Sequence, residues 1–166
     1  MTTLTVPVKP YIKKYLENNY GSPVNFSGVR GLNDLLCLLL EKQSYHHDKQ
    51  ITLNLYSATV TIVVTRDIFY RHGWSFSKTS IIRFNAFMEF IIKIRQRDIV
   101  RVKTTDANKK ISCSIRQFQL EFDFSEDNYS YDAIIKDLQR NTNIRKNNKK
   151  NIGQSVHEKL QLCLEE

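Results

Sequence analysis

Two stretches of this chain alternate apolar and polar residues, and the remainder repeats apolar residues at helical spacing. Leu4, Val6 and Val8 alternate with Thr3, Thr5 and Pro7, the period of a short strand. Pro7 has no N–H to give to a ladder, so this strand belongs at a sheet edge or in an arm. Pro10 suits the first turn of a helix whose apolar face is Tyr11, Ile12, Tyr15 and Leu16, and Gly21 is its stop. A brief extended piece follows at Val24 to Phe26. Leu32 to Glu41 then reads as a second helix, apolar on most sides and expected to be buried, with five leucines between Leu35 and Leu40. Ile51, Leu53 and Leu55 alternate with polar residues, as do Val60, Ile62 and Val64, and the phase changes between the two runs. Either residues 56–59 turn one strand back on the other, or a single long strand carries a bulge.

Arg66 to His72 is a helical turn ended by Gly73, and Ser77 is placed to cap a long helix running to about Arg97. Its stripe is Ile81, Phe84, Met88 and Ile91, widened by Phe87, Ile92 and Ile94, with Glu89 and Lys93 spaced for an ion pair. Arg95, Arg97 and Arg101 gather at its C-terminal end, where cations also suit the helix dipole. After a polar break at Thr104 to Asn108, Ile111, Ile115, Phe118 and Phe122 mark another amphipathic helix. Ser125 to Asn128 forms a tight polar turn. Ser130 caps a last helix that turns Tyr131, Ile134, Ile135 and Leu138 inward. Residues 141–151 are low in complexity and read as a basic linker. Val156, Leu160 and Leu164 suit a terminal helix over residues 155–165, too short to stand alone in water.

These elements predict an α+β fold, with a small antiparallel sheet centred on residues 51–65, helices packed on one face, and a mainly helical C-terminal half. The expected organisation is an α/β part over residues 1–75, a helical basic part over 76–142, and a basic linker with a short terminal helix over 143–166.

Composition sharpens this reading. A chain of 166 residues, 41% hydrophobic, can bury a genuine core and does not read as disordered. No run approaches the roughly 20 apolar residues of a membrane span, and Met1 to Leu4 lacks a signal-peptide layout. Cys37, Cys113 and Cys163 are odd in number and dispersed, so a reducing cytoplasmic setting is expected. Net charge is +8, and residues 66–110 hold eleven of the twenty-five Lys and Arg against four acids. A positive field focused in this way attracts polyanions.

Chemistry of the catalytic kind finds little footing. His46 and His47 are adjacent rather than at ligand spacing, no Cys pair suits zinc, and no phosphate-cradling or nucleophile motif is present. The expectation is a non-enzymatic protein with no cofactor and no metal. The two helices around residues 110–123 and 130–142 instead have the pattern of a helix-turn-helix, whose second helix enters the major groove. Lys136, Gln139, Arg140 and Asn143 lie off its apolar stripe and are of the types that read base edges or hold phosphates. Arg95, Arg97, Arg101, Lys109, Lys110 and Arg116 would hold the flanking phosphates. Simple helical packing is the alternative for the pair, and Asp132 and Asp137 on the second helix repel phosphate. In the basic segment Phe69, Tyr70 and Trp74 are interspersed with arginines and can stack on bases, although a lone Trp more often anchors a helix to the core.

The N-terminal run Thr3-Leu4-Thr5-Val6-Pro7-Val8-Lys9, with the helices after it, resembles the ribbon-helix-helix DNA-binding family. That resemblance implies Thr3, Thr5 and Lys9 toward the groove and Leu4, Val6 and Val8 toward the core, on a strand paired across a dimer. Pro7 and the long connection from Asn18 to Gly31 depart from the family pattern. Around Tyr131-Asp132-Ala133-Ile134-Ile135-Lys136 the chain is similar in general character to small accessory proteins of bacterial phages and mobile elements. The reading is therefore a DNA-binding regulator or accessory factor, with a homodimer expected and residues 155–165 available for dimer contacts. The rival reading is a structural or interaction protein whose basic face meets an acidic partner or packaged nucleic acid.

Overall fold

A computed structural model describes residues 2–42, 55–105 and 110–141. Strand β1 (Thr2–Val8) is followed by helices α1 (Pro10–Tyr20) and α2 (Arg30–Leu39). Strand β2 (Ala58–Val64), helix α3 (Arg66–His72) and the long helix α4 (Lys78–Thr105) come next, then α5 (Ile111–Glu121) and α6 (Tyr131–Asn141). The α+β class and the helical C-terminal half are as the periodicities predict.

The sheet has a different partner from the expected one. β1 pairs antiparallel with β2 in a two-stranded sheet, with Leu4 opposite Ile62 and Val6 opposite Val60. This register puts Val6, Val8, Val60, Ile62 and Val64 together on the buried side, leaving Thr3, Thr5, Thr59 and Thr61 exposed. On the other edge of β2, Val24 N–H donates to the Thr61 carbonyl and Val63 N–H to the Val24 carbonyl, each at 2.8 Å. The strand that pairs with residues 60–64 is thus the N-terminal one. Leu55 is 73% exposed in a turn, and residues 51–54 lie outside the described residues.

Pro7 is tolerated because its position points away from β2. Its carbonyl accepts from Asn85 Nδ2 of α4 at 3.0 Å, and the next outward N–H, that of Lys9, donates to Asn85 Oδ1 at 3.1 Å. One buried amide therefore occupies the outer edge of β1, where a further strand would otherwise pair.

Ser77 caps α4 as its position predicts, accepting from the Ser80 N–H at 3.2 Å. Glu41 reinforces the cap: its carboxylate accepts from the Ser77 and Ser80 hydroxyls at 2.7 and 2.9 Å, beside the positive end of the helix. The helix runs to Thr105, about two turns beyond the expected end near Arg97. Its buried line is Ile81, Phe84, Asn85, Met88, Ile92, Gln96 and Val100. Phe87 and Ile94, expected to widen the core face, are exposed instead, since their angular positions fall on the opposite side of the helix. Leu38 of α2 is likewise 82% exposed, whereas Leu32, Leu36 and Leu39 are buried.

A single hydrophobic cluster joins the sheet, α1, α2, α4, α5 and α6. Tyr11 and Tyr15 of α1 pack against Phe122, Phe124 and Tyr129, so aromatic contacts bind the N-terminal part to the C-terminal helices. That cluster draws residues from both sides of position 75. The division at 143 lies outside the described residues, as does the helix expected over 155–165.

Candidate nucleic-acid interface

Helices α5 and α6 form where expected. Ser130 Oγ accepts from the Ala133 N–H at 3.2 Å and so caps α6, which buries Ile134 and Leu138. The link between them is not a short polar turn. It covers residues 122–130 and carries three buried aromatic residues, Phe122, Phe124 and Tyr129, where a helix-turn-helix uses three or four residues. These rings pack on α1 and α4, and Lys14 of α1 holds the link by donating to the Asp123 carboxylate and carbonyl at 2.6 and 2.7 Å. Amphipathic spacing alone marks the helices but not the length or burial of what connects them.

Along α6, Lys136, Gln139 and Arg140 are exposed and share a face by their three- and four-residue spacing. Lys136 and Arg140 line a cleft of about 420 Å³, together with Lys93 and Glu89 of α4, Tyr11 of α1, and Asn128 and Tyr129 of the link. Four carboxylates share the cleft walls: Glu89, Glu126, Asp127 and Asp137. Three of them have partners. Glu89 accepts from Lys9 at 2.6 Å and Lys93 at 2.7 Å. Burial alone would raise the Glu89 carboxyl, but the two ammonium groups outweigh it and hold the group at about 2. Glu126 accepts from the Tyr131 N–H at 2.8 Å and from Gln119 at 3.3 Å. Burial, and after it the Asp137 carboxylate, raises the Tyr129 phenol, and burial followed by Glu89 does the same for Tyr11. Both phenols are therefore neutral donors at physiological pH.

Arg97, read from the sequence as a phosphate contact, is engaged within the protein. Its Nε and Nη2 reach both oxygens of Asp137 at 2.9 and 2.8 Å, a bidentate pair that ties α4 to α6. The same bond neutralises Asp137, one of the two acids expected to repel phosphate. Arg95 and Arg97 lie about 200° apart around the helix, so one surface cannot use both. Arg95 is exposed and lies toward Tyr15 and Tyr20 of α1. Arg101 is exposed on α4, and Lys110 is exposed as the residue preceding α5. Arg116 is exposed with its guanidinium 5.9 Å from the Tyr131 ring centre, which places it beside the start of α6. Lys109 and Asn143 lie outside the described residues, as do His46 and His47. The structure thus brings Arg116, Lys136 and Arg140 to α6 and leaves Arg95 on another side.

In the sequence, Lys93 at the cleft carries only the i,i+4 spacing to Glu89, the mark of a surface pair. Only the return of α6 across α4 gives it a second neighbourhood. At the N-terminus, Thr3 and Thr5 are exposed while Val6 and Val8 are buried, but β1 is paired within its own chain and Lys9 bonds to Glu89. Trp74 is 43% exposed, with its ring 5.8 Å from that of Phe69. Cys37 and Cys113 are free thiols. Among the described residues, no helix is long and apolar enough to cross a membrane and no cluster of His, Cys, Asp and Glu has the makings of a metal site.

Comparison with family models, with curated proteins and with solved structures finds no match for this chain.

Proposed function

We propose that this protein binds duplex DNA without catalysing a reaction, as a regulator or accessory factor of the kind phages and mobile elements use. One observation carries the reading. Eight of the eighteen described Lys and Arg side chains sit in ion pairs, and the other ten have no carboxylate of a described residue within 4 Å, against five described acids similarly placed. Eight of the ten stand on or beside the three C-terminal helices, and five of these, Arg101, Lys110, Arg116, Lys136 and Arg140, belong to the last turns of α4, the start of α5 and the length of α5 and α6. Cations outside such ion pairs can release counterions from a phosphate backbone without breaking one. In this reading Arg101, Lys110 and Arg116 hold phosphates, and Lys136, Gln139 and Arg140 lie nearest the bases.

The test is binding to random-sequence duplex DNA across a salt series, comparing the natural protein with a variant carrying Arg101→Ala, Lys110→Ala and Arg116→Ala. Each lost phosphate contact should flatten the slope of log affinity against log salt by about 0.9. A slope shallower by about 2–3 in the variant supports the reading. Absence of binding at low salt removes it. The reading as an interaction protein then takes its place, favoured by the exposed apolar residues of α4.

A further inference from the structure

We infer that the outer face of α4 is a self-association surface, occupied by the same face of a second copy running antiparallel. Residues 83, 87, 90, 94 and 98 follow one another at spacings of four, three, four and four, which places them in one line along the helix. At the centre of the line Phe87, Phe90 and Ile94 are 37%, 55% and 39% exposed, whereas Met88 and Ile92 on the inner side are fully buried. Large aromatic and branched side chains in a continuous exposed row are the mark of a surface that is covered in use.

The ends of the line say what covers it. Arg83 and Asp98 are both exposed, and neither has an ion-pair partner among the described residues. A two-fold axis between Phe90 and Ile91 sets Phe87 opposite Ile94 and Arg83 opposite Asp98, and by symmetry the same pairs form again on the other side. Each apolar residue then meets an apolar one and each charge meets its opposite. A parallel arrangement would instead set Arg83 against Arg83 and Asp98 against Asp98, which costs energy. The line runs over sixteen residues, about 22 Å of helix from first to last, and so buries less than a typical permanent interface. The association is accordingly weak, on the order of tens of micromolar. This inference does not depend on DNA binding, since none of its residues is among the proposed phosphate contacts.

Sedimentation velocity of the full-length protein across about 5–500 µM tests it, because that range brackets the expected dissociation constant. The natural protein should shift from monomer to dimer, and Phe90→Asp should remain monomeric with an unchanged far-ultraviolet circular dichroism spectrum. Arg83→Asp and Asp98→Arg should each weaken the dimer at least about tenfold, since two like-charge contacts form per dimer. Combining R83D with D98R should restore it, an outcome that a change in folding alone cannot produce. A monomer at every concentration overturns the inference and leaves residues 142–166 or a different protein as the cover. A dimer insensitive to Phe90→Asp, or a double variant that fails to recover, overturns it as well.

Discussion

Asn85 of α4 grips the edge of β1 with both ends of its amide, donating to the Pro7 carbonyl at 3.0 Å and accepting from the Lys9 N–H at 3.1 Å. The same Nδ2 also donates to the Ile81 carbonyl at 2.9 Å. Because the side chain is 1% exposed, water cannot replace these bonds. Asn85→Leu leaves a partly buried strand-edge N–H and carbonyl without this partner, and should destabilise the fold by roughly 1–3 kcal/mol. Asn85→Asp should be at least as damaging, since a carboxylate would face two carbonyls. Urea denaturation reads both effects, and a variant as stable as the natural protein would show that the amide is not what holds the edge.

Glu89 links the same region to pH. Its carboxyl lies at about 2 against an ordinary value of 4.5, because Lys9 and Lys93 outweigh the burial that opposes ionisation. A group whose folded value is depressed adds stability above its unfolded value and loses it as pH falls toward the folded one. Stability should therefore decline between about pH 4.5 and pH 2, by roughly 2–3 kcal/mol from this group. Glu89→Gln should be less stable than the natural protein at pH 7 and should show a flatter fall through that window. Equal slopes in the two proteins would refute the assignment.

Arg97 and Asp137 should separate folding from binding. The side chains are mostly screened from solvent, at 26% and 11% exposure, and the bond is bidentate. A double-mutant cycle with alanine at each position should give a coupling of about 1–3 kcal/mol in stability. The salt slope of DNA binding should change little in Arg97→Ala and by about one in Arg101→Ala. The reverse ranking would return Arg97 to the role of a phosphate contact.

Gly73 permits the close approach that ends α3. Its φ is 129°, and a Cβ there would fall on the Glu41 carbonyl group and the Lys42 nitrogen. The Trp74 and Ser75 N–H groups donate to that same Glu41 carbonyl, at 3.2 and 3.3 Å. Gly73→Ala should cost about 2–4 kcal/mol through strain and displaced backbone, measured as a lower midpoint in thermal unfolding. An unchanged midpoint would mean that the chain at Glu41 yields without penalty.

Tyr129 and Gln96 form a buried polar contact that is only half satisfied. The phenol donates to Gln96 Oε1 at 2.7 Å, while Gln96 Nε2 is buried with no partner among the described residues. Tyr129→Phe should cost about 1–2 kcal/mol, because it strands the Oε1 as well. Adding Gln96→Met should recover most of that loss, since no polar atom then remains unmatched. Failure of the second change to recover stability would place a missing partner at Nε2.

Local patterns in the sequence determine much of this molecule. The caps at Ser77 and Ser130, the stop at Gly21, the helical stripes and the alternation of β1 and β2 all follow from residues within a few positions of one another, where side-chain spacing and backbone geometry decide. The uneven spread of positive charge is equally a property of the sequence. Tertiary structure decided what meets what. Val60, Ile62 and Val64 carry an apolar face but no mark of their partner, and it is burial shared with Val6 and Val8 that joins them to β1 across more than fifty residues. Phe87 and Ile94 are as hydrophobic as Met88 and Ile92, yet the direction from which β1 and α1 approach α4 leaves one pair outside. Arg97 looks like its neighbours Arg95 and Arg101 until α6 brings Asp137 against it. Pairing across forty or more residues depends on the packing of the whole core, and spacing within one segment does not encode it.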